Sequence, residues 1–260
     1  MSLNKNVLIV YAHPEPTSFT GSMKDVSVKT LESMGCNVKV SDLHSMHFKA
    51  TTSKDDIMGE ITATRFDYLN EKSAAVKEGR LSQDIMDEIE KIEWADLLIL
   101  HFPMHWFSMP AIMKGWFDRV YVFDRIFTPQ QMYSTGKFKG KRAIIATSTG
   151  GSEVVFKKGI HGDMSIFLWP IQSGLLYFVG YDALKPNVCF NVRSINDEAR
   201  KKMIDQWANR LQGIFDEEPE QFLSRDDFER NGFGQIKPES LEKAMKNGTL
   251  PVGQKVQNLL

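Results

Sequence analysis

The chain has 260 residues, of which 42% are hydrophobic and 25% are charged, a composition typical of soluble globular proteins with one large domain or two small ones. Its formal net charge of −1 gives no basic excess for nucleic-acid binding, and no apolar run approaches the roughly 18 to 20 residues that a membrane span needs. The two cysteines, Cys36 and Cys189, are too few for a disulfide framework and predict a cytoplasmic protein.

Short apolar runs alternate with helical patterns along most of the chain. The first run, residues 7–11, is a predicted strand, and the helix after it ends at Gly35. The stretch 42–81 is polar and irregular, and it is longer than an ordinary loop. Further strands are predicted at residues 37–40, 97–102, 143–147 and 188–192.

Helices are predicted between these strands. Ile85, Ile89 and Ile92 recur at helical spacing, and their helix should begin near Ser82. Pro110 is expected to be the first residue of the next helix, because its missing N–H needs no partner at that position.

Two later segments complete the pattern. Residues 162–176 are predicted to be helical, and Ser194 with Asp197 has the spacing of a capping box at the start of another helix. The alternation predicts a doubly wound α/β fold with five parallel strands and helices on both faces. We expect one domain over residues 1–220 and a C-terminal tail over 221–260 that packs on a neighbour or is partly disordered.

Three loops follow strands of this sheet, and the carboxyl ends of parallel strands are where open α/β sheets bind ligands. In the first loop, Thr17, Ser18 and Thr20 stand at the start of a helix whose free N–H groups are suited to a phosphate. His13 would add charge or a hydrogen bond there. The alternative interpretation is a capped helix with a surface histidine.

The second loop is aromatic, and Trp106 and Phe107 suit a flat ligand with polar edges, such as a flavin ring. In the third loop, Gly150 and Gly151 allow the backbone to approach such a ring closely. The alternatives are an ordinary hydrophobic turn and a simple glycine turn. The two histidines within 44–47 have metal-like spacing but no further ligands beside them, so no metal site is predicted.

Several motifs along the chain occur together in one known family. They are Ala12-His13 with Thr17-Ser18-Phe19, Phe102-Pro103 with Trp106-Phe107, Lys114-Gly115-Trp116-Phe117, Thr149-Gly150-Gly151, Gly159-Ile160-His161-Gly162-Asp163-Met164 and Leu168-Trp169-Pro170-Ile171-Gln172-Ser173-Gly174. With them the chain resembles the flavodoxin-like NAD(P)H:quinone oxidoreductases that bind FAD noncovalently. The resemblance covers nearly the whole chain to about residue 220, and the tail more loosely.

The resemblance implies a flavodoxin-like catalytic domain and a homodimer with one FAD at each active site, located at the subunit interface. In such a family NAD(P)H reduces the flavin and leaves. A quinone then takes two electrons as a hydride and becomes a hydroquinone. This ping-pong reaction would make the protein a cytoplasmic NAD(P)H:quinone oxidoreductase, with the redox chemistry supplied by the cofactor.

The resemblance also implies roles for individual residues. His161 would stabilise the negative charge that develops on the reduced flavin, with Gly150 and Phe156 as the other catalytic positions. The expected cofactor-binding residues are His13, Ser18, Phe19, Thr20, Met104, His105, Trp106, Phe107, Ser148, Thr149, Gly150, Gly151 and Arg200. The expected substrate-binding residues are Trp106, Phe107, Phe127, Thr128, Pro129, Gly150 and His161.

The chain departs from the family pattern on the substrate side. Phe156 replaces a tyrosine whose hydroxyl partners the histidine, and Phe127 and Pro129 replace two aromatic hydroxyls over the quinone pocket. Losing one preorganised donor can cost on the order of 10² to 10³ in rate. Because His161 remains, we expect a smaller loss, with His161 acting alone or with water. Two alternatives stay open: an FMN-type azo- or nitroreductase, and a flavin-bound regulatory protein with little turnover.

Overall fold

The centre of the fold is a parallel sheet, in a computed structural model that describes residues 3–61, 64–157 and 159–248. The strands are β1 (Asn6–Tyr11), β2 (Asn37–Asp42), β3 (Leu97–Pro103), β4 (Arg142–Ser148), β5 (Asp182–Ala183) and β6 (Asn187–Cys189). Their order is β2-β1-β3-β4, with β5 and β6 both beside β4, and every pairing is parallel. The predicted doubly wound α/β fold is confirmed.

Helices cover both faces of the sheet because the strands are apolar on both sides. Val7 and Ile9 of β1 join the core under the first and seventh helices, whereas Leu8 and Val10 join the core under the third and fourth. The helices are α1 (Phe19–Ser33), α2 (Tyr68–Lys77), α3 (Gln83–Trp94), α4 (Ala111–Val120), α5 (Glu153–Lys157), α6 (Met164–Ile171), α7 (Asp197–Leu211) and α8 (Pro238–Lys246).

The predicted fifth strand at 188–192 is wrong in its bounds. Its place beside β4 is divided between β5 and β6. Pro186 lies between them and lacks the N–H that a continuous strand would need. Asn191 has a φ of 59°, in the left-handed region, so β6 cannot continue to residue 192.

Two predicted helix starts are also displaced. Ser194 is not the cap of α7, because its N–H donates to the Asn191 carbonyl in a turn that precedes the helix. Asn196 is the cap, and its side chain accepts from the N–H of Ala199 at 2.9 Å. Pro110 lies one position before the first residue of α4, with an extended ψ of 149°. The predicted helix over 162–176 is present as α6 followed by a π-helical turn at Gln172–Leu176.

The stretch 42–81, predicted to be irregular, contains α2 and covers a buried charged cluster. Arg119, with only 2% of its side chain exposed, donates to Asp56 Oδ1 at 3.0 Å and to Asp84 Oδ2 at 2.6 Å. The Tyr68 hydroxyl donates to the other oxygen of Asp56 at 2.7 Å. Lys72 Nζ donates to the carbonyls at the end of α4 and anchors α2 there.

A fully buried histidine lies in the middle of the sheet. His101 Nε2 is 2.9 Å from Ser27 Oγ, which also accepts from the indole N–H of Trp207 at 2.8 Å. Its Nδ1 has no partner within the described ranges. Burial lowers the pKa of His101 to about 3, so the folded protein holds this imidazole in its neutral form.

His101 should make stability pH-dependent. The unfolded chain takes up a proton near pH 6.5 and the folded chain only near pH 3, so stability is lost as pH falls through this window. The loss attributable to this group approaches about 1.4 kcal/mol per pH unit. Urea unfolding of the wild type and of His101→Gln, at neutral pH and at about pH 5, measures it. We expect a smaller pH dependence in the variant; equal slopes would contradict the assignment.

The described part of the tail packs on α6 and on the residues after it. Phe222 stacks on Tyr177 with ring centroids 4.6 Å apart, and the Arg225 guanidinium lies over the ring of Phe233. A cavity of about 210 Å³ lies beneath this segment. The last twelve residues of the predicted tail fall outside the described ranges. Among the helices that are described, none combines the length and the apolar character needed to cross a bilayer.

Candidate active site

A cleft of about 710 Å³ opens at the carboxyl edge of the sheet, where β1, β3 and β4 end. The strand order reverses between β1 and β3, and ligands of open α/β sheets bind at such a switch point. The three loops predicted to converge all contribute to it. Its lining residues are His13, Ser18, Phe19, Thr20, Pro103, Met104, His105, Ser148, Thr149, Gly150, Val192, Arg193 and Arg200.

In the first loop, His13 offers a hydrogen bond rather than a charge. His13 Nδ1 lies 3.0 Å from the backbone nitrogen of Glu15 and 3.1 Å from the Glu15 carbonyl oxygen. In the tautomer that accepts from the Glu15 N–H, the proton of the neutral ring lies on Nε2. Burial lowers the pKa of His13, and the nearby His105 and His44 lower it further. The ring is therefore neutral at neutral pH, and in the tautomer that accepts from Glu15 it donates from Nε2.

The start of α1 forms the floor of the same loop. Ser18 caps the helix, and its Oγ accepts from the N–H of Gly21 at 3.1 Å. Phe19 and Thr20 occupy the first helical positions, where N–H groups have no partner inside the helix. Gly21 is required because a Cβ there would lie 2.0 Å from the carbonyl oxygen of Pro16. The helix terminus and the loop together are suited to an anion.

Not every hydroxyl of this loop faces the cleft. Thr17 Oγ1 donates to the Glu15 carboxylate at 2.7 Å, and Thr17 is absent from the lining. Thr20 is nearly fully buried, and its hydroxyl lies 3.2 Å from Ser148 Oγ at the end of β4. This pair connects the first and third loops, so at most one of the two hydroxyls can also donate into the cleft.

The second loop is a tight turn in a strained conformation. Trp106 and Phe107 both have left-handed φ angles, 48° and 65°, and two hydrogen bonds between His105 and Ser108 close the turn. For bulky residues this conformation costs of order 1–3 kcal/mol each. The N–H groups of the two aromatic residues have no hydrogen-bond partner within the described part of the chain, and Trp106 is 96% exposed. The turn therefore presents free donors beside a flat apolar surface.

The third loop places open backbone on the cleft wall. A Cβ at Gly150 would meet only Arg193 Cδ, at 3.8 Å. Gly151 is different, since a Cβ there would lie 2.7 Å from Cε2 of Phe156. The N–H of Met104 donates to the Ser148 carbonyl at 2.8 Å and fixes the second loop against the third.

His161 lies in an aromatic cluster next to the second loop. Its ring is 5.0 Å from that of Phe107 and 5.1 Å from that of Phe156, measured between centroids. Phe156 is buried and also contacts Phe107 and Phe167. Neither His161 nor Phe156 lines the cleft itself, but through Phe107 both adjoin the exposed turn.

Comparison with known proteins gives the family. The family model described as a flavodoxin-like fold matches residues 5–211. NAD(P)H dehydrogenase [quinone] 1 of Cavia porcellus is 42% identical over 95% of this chain and 91% of its own length. This chain belongs to the NAD(P)H dehydrogenase (quinone) family. Ribosyldihydronicotinamide dehydrogenase [quinone] of Pongo abelii is 45% identical over 83% of this chain and 94% of its own.

A solved structure supports the same family relationship. A protein of Klebsiella pneumoniae described as a quinone reductase superposes with a TM-score of 0.81 at 33% identity, covering 91% of this chain and 93% of its own. The similarity therefore extends over most of the fold.

The predicted substrate segment 127–129 does not line the cleft of the same subunit. The ring of Phe127 contacts those of Phe123 and Phe178, with centroids 5.6 and 5.1 Å apart. None of these three residues lines the cleft. Thr128 and Pro129 follow in the same loop. Their expected role at the substrate stays a prediction that needs a second subunit.

The sequence prediction missed three lining residues of this quinone reductase fold, namely Pro103, Val192 and Arg193. The last two follow the left-handed Asn191; Val192 is the last residue of the expected strand 188–192, and Arg193 comes directly after it. Arg200, predicted from the resemblance, does line the cleft. No cluster of three or more metal-ligating side chains occurs in residues 3–61, 64–157 and 159–248.

Proposed function

We propose that this chain is an FAD-dependent NAD(P)H:quinone oxidoreductase that acts as a homodimer. The observation that carries the proposal is the cleft at the switch point, bordered by the strained Trp106–Phe107 turn, in a chain of the quinone reductase family. When bound, the FAD would accept two electrons from NAD(P)H and pass them to a quinone, giving a hydroquinone. The protein's own part is to bind and orient the cofactor and the substrates and to exclude water from the site.

The residues present fit such a cofactor. The start of α1 and the neutral His13 would hold phosphates, since both present N–H donors to the cleft. The amides of Trp106 and Phe107 would donate to the polar edge of the ring system. Gly150 leaves room for a flat ring against the backbone. His161, beside Phe107, would donate a hydrogen bond from its imidazole to the side of the ring system that becomes negative on reduction.

A homodimer would complete the substrate side. Trp106 and Ile160 are more than 90% exposed, and Val154 is 71% exposed, so the rim around Phe107 carries an apolar patch suited to an interface. The segment containing Phe127 and Pro129 would then cover the partner's cleft rather than its own. Both free cysteines are buried, which fits the reducing environment of the cytoplasm.

Identification of the bound flavin tests this proposal. Acid release from the purified protein, followed by chromatography, should yield FAD; FMN would favour the azo- or nitroreductase alternative. Steady-state assays with menadione should then show turnover with NADH or NADPH. Ribosyldihydronicotinamide should be tested as well, because relatives named for either donor are similarly close. A protein that binds flavin but turns over negligibly would favour the regulatory alternative.

Phe156→Tyr tests the electrostatic role given to His161. The new hydroxyl would lie within the cluster beside His161 and add a second donor, so the rate of cofactor reduction should rise, by up to about tenfold, or stay equal. Stopped-flow reduction by NADH measures the rate. Phe167→Tyr, a change of the same kind in the same cluster, is the control for general disturbance. A sharp fall in Phe156→Tyr alone would contradict the assigned role.

A further inference from the structure

The side chains that line the cleft carry positive charge, and its two arginines differ in how many of their hydrogen-bond donors are already used by the protein. Arg193 and Arg200 line it, His13 is neutral, and no lining residue is a carboxylate. A cleft of this composition favours an anionic ligand.

Arg200 uses its guanidinium to brace the chain around it. Nε donates to the Val192 carbonyl at 2.9 Å, Nη2 to the Arg193 carbonyl at 3.3 Å, and Nη1 to Asp197 Oδ1 at 2.7 Å. Its charge is paired with a carboxylate, and its donors are largely occupied by the protein. Arg200 is therefore a positioning residue for the segment that contains Arg193.

That segment is fixed against the third loop by backbone hydrogen bonds. The N–H of Thr149 donates to the Cys189 carbonyl and that of Asn191 to Gly151, both at 2.9 Å, and Val192 donates back to Thr149 at 3.2 Å. These bonds place Arg193 Cδ beside Gly150. Over the ranges that the structure describes, the Arg193 guanidinium has neither an ion-pair nor a hydrogen-bond partner.

We propose that Arg193 binds a phosphate group of a nucleotide in the cleft and thereby sets which nucleotides this protein prefers. Its planar fork of donors matches phosphate oxygens, and the brace by Arg200 holds the backbone from which it extends. This inference rests on the proposed function. Two nucleotides could supply the phosphate: the flavin dinucleotide, or a pyridine nucleotide donor that enters after it.

Arg193→Gln distinguishes these sources. Fluorescence titration of the apoprotein with FAD, FMN and riboflavin reports the first source without any turnover. If the cofactor supplies the phosphate, the Kd for FAD rises about tenfold while that for riboflavin, which has no phosphate, is unchanged. If the donor supplies it, FAD binding is unchanged and KM rises for NADH or NADPH but not for ribosyldihydronicotinamide, which also lacks phosphate.

Two further variants complete the design. Arg65→Gln removes an exposed arginine outside the cleft lining and should change none of these constants. Arg193→Lys should recover part of the loss, because it keeps the charge but not the fork. If the wild type binds flavin and turns over, and Arg193→Gln has the same Kd for each flavin and the same KM for each donor, this inference is overturned while the proposed function stands. A wild-type protein that binds no flavin would overturn the proposed function and this inference with it.

Discussion

Replacement of Gly150 by leucine should abolish cofactor binding without damaging the fold. A side chain at this position would enter the cleft, where a Cβ meets nothing closer than Arg193 Cδ at 3.8 Å. The apoprotein should therefore unfold at nearly the same temperature as the wild type. The Kd for FAD should rise by about 100-fold or more, because the leucine occupies the space required by the bound ring. Fluorescence titration and thermal unfolding of the apoprotein measure the two effects.

Gly213→Leu is the matched control for this experiment. Gly213 follows α7 on the surface, and no atom lies within 4 Å of a Cβ built there. This variant should bind FAD like the wild type. If Gly150→Leu kept its affinity for FAD, the cofactor would have to bind somewhere other than this cleft.

The second large effect is on stability and concerns the buried charged cluster. Arg119→Met removes the hydrogen-bonded cation of Asp56, whose side chain is only 1% exposed, and leaves this buried carboxylate with Lys49 Nζ, 3.9 Å away, as its nearest remaining positive charge. We expect the free energy of unfolding at neutral pH to fall by about 3–5 kcal/mol. Urea unfolding followed by circular dichroism measures it.

Two comparisons separate the buried charge from lost packing. Adding Asp56→Asn to Arg119→Met should restore about 1 kcal/mol or more, because the amide is neutral and still accepts from Tyr68. Arg125→Met breaks the more exposed pair with Glu93 and should cost no more than about 1 kcal/mol. Similar losses for Arg119→Met and Arg125→Met would contradict this account of the cluster.

The elements that could be predicted from sequence are those governed by local patterns. β1 and β3 are continuous apolar runs, and α3 repeats isoleucine at helical spacing after its cap at Ser82. The errors arise where a backbone exception decides the outcome. The left-handed Asn191 and the missing N–H of Pro186 divide the last strand, and neither changes the apolar pattern that predicted one continuous strand.

In the candidate site, too, the features that follow local sequence patterns could be predicted and the others could not. The three loops could be placed because each follows a strand, but their internal pairing depends on distant residues. The bond between Thr20 and Ser148, which connects the first loop to the third, spans 128 positions. No local spacing reveals such pairs. Arg193 was missed for a related reason, since its place beside Gly150 depends on how its segment bonds to the third loop.

The central claim, that this protein passes electrons from a nicotinamide donor to a quinone through a bound flavin, is tested most directly by an anaerobic absorbance titration. Bound flavin is followed while one equivalent of NADH and then one equivalent of menadione are added. The account predicts that the flavin absorbance disappears with NADH and returns fully with menadione. A purified protein that is colourless and cannot be reconstituted with FAD, or a bound flavin that NADH leaves unchanged, would contradict it.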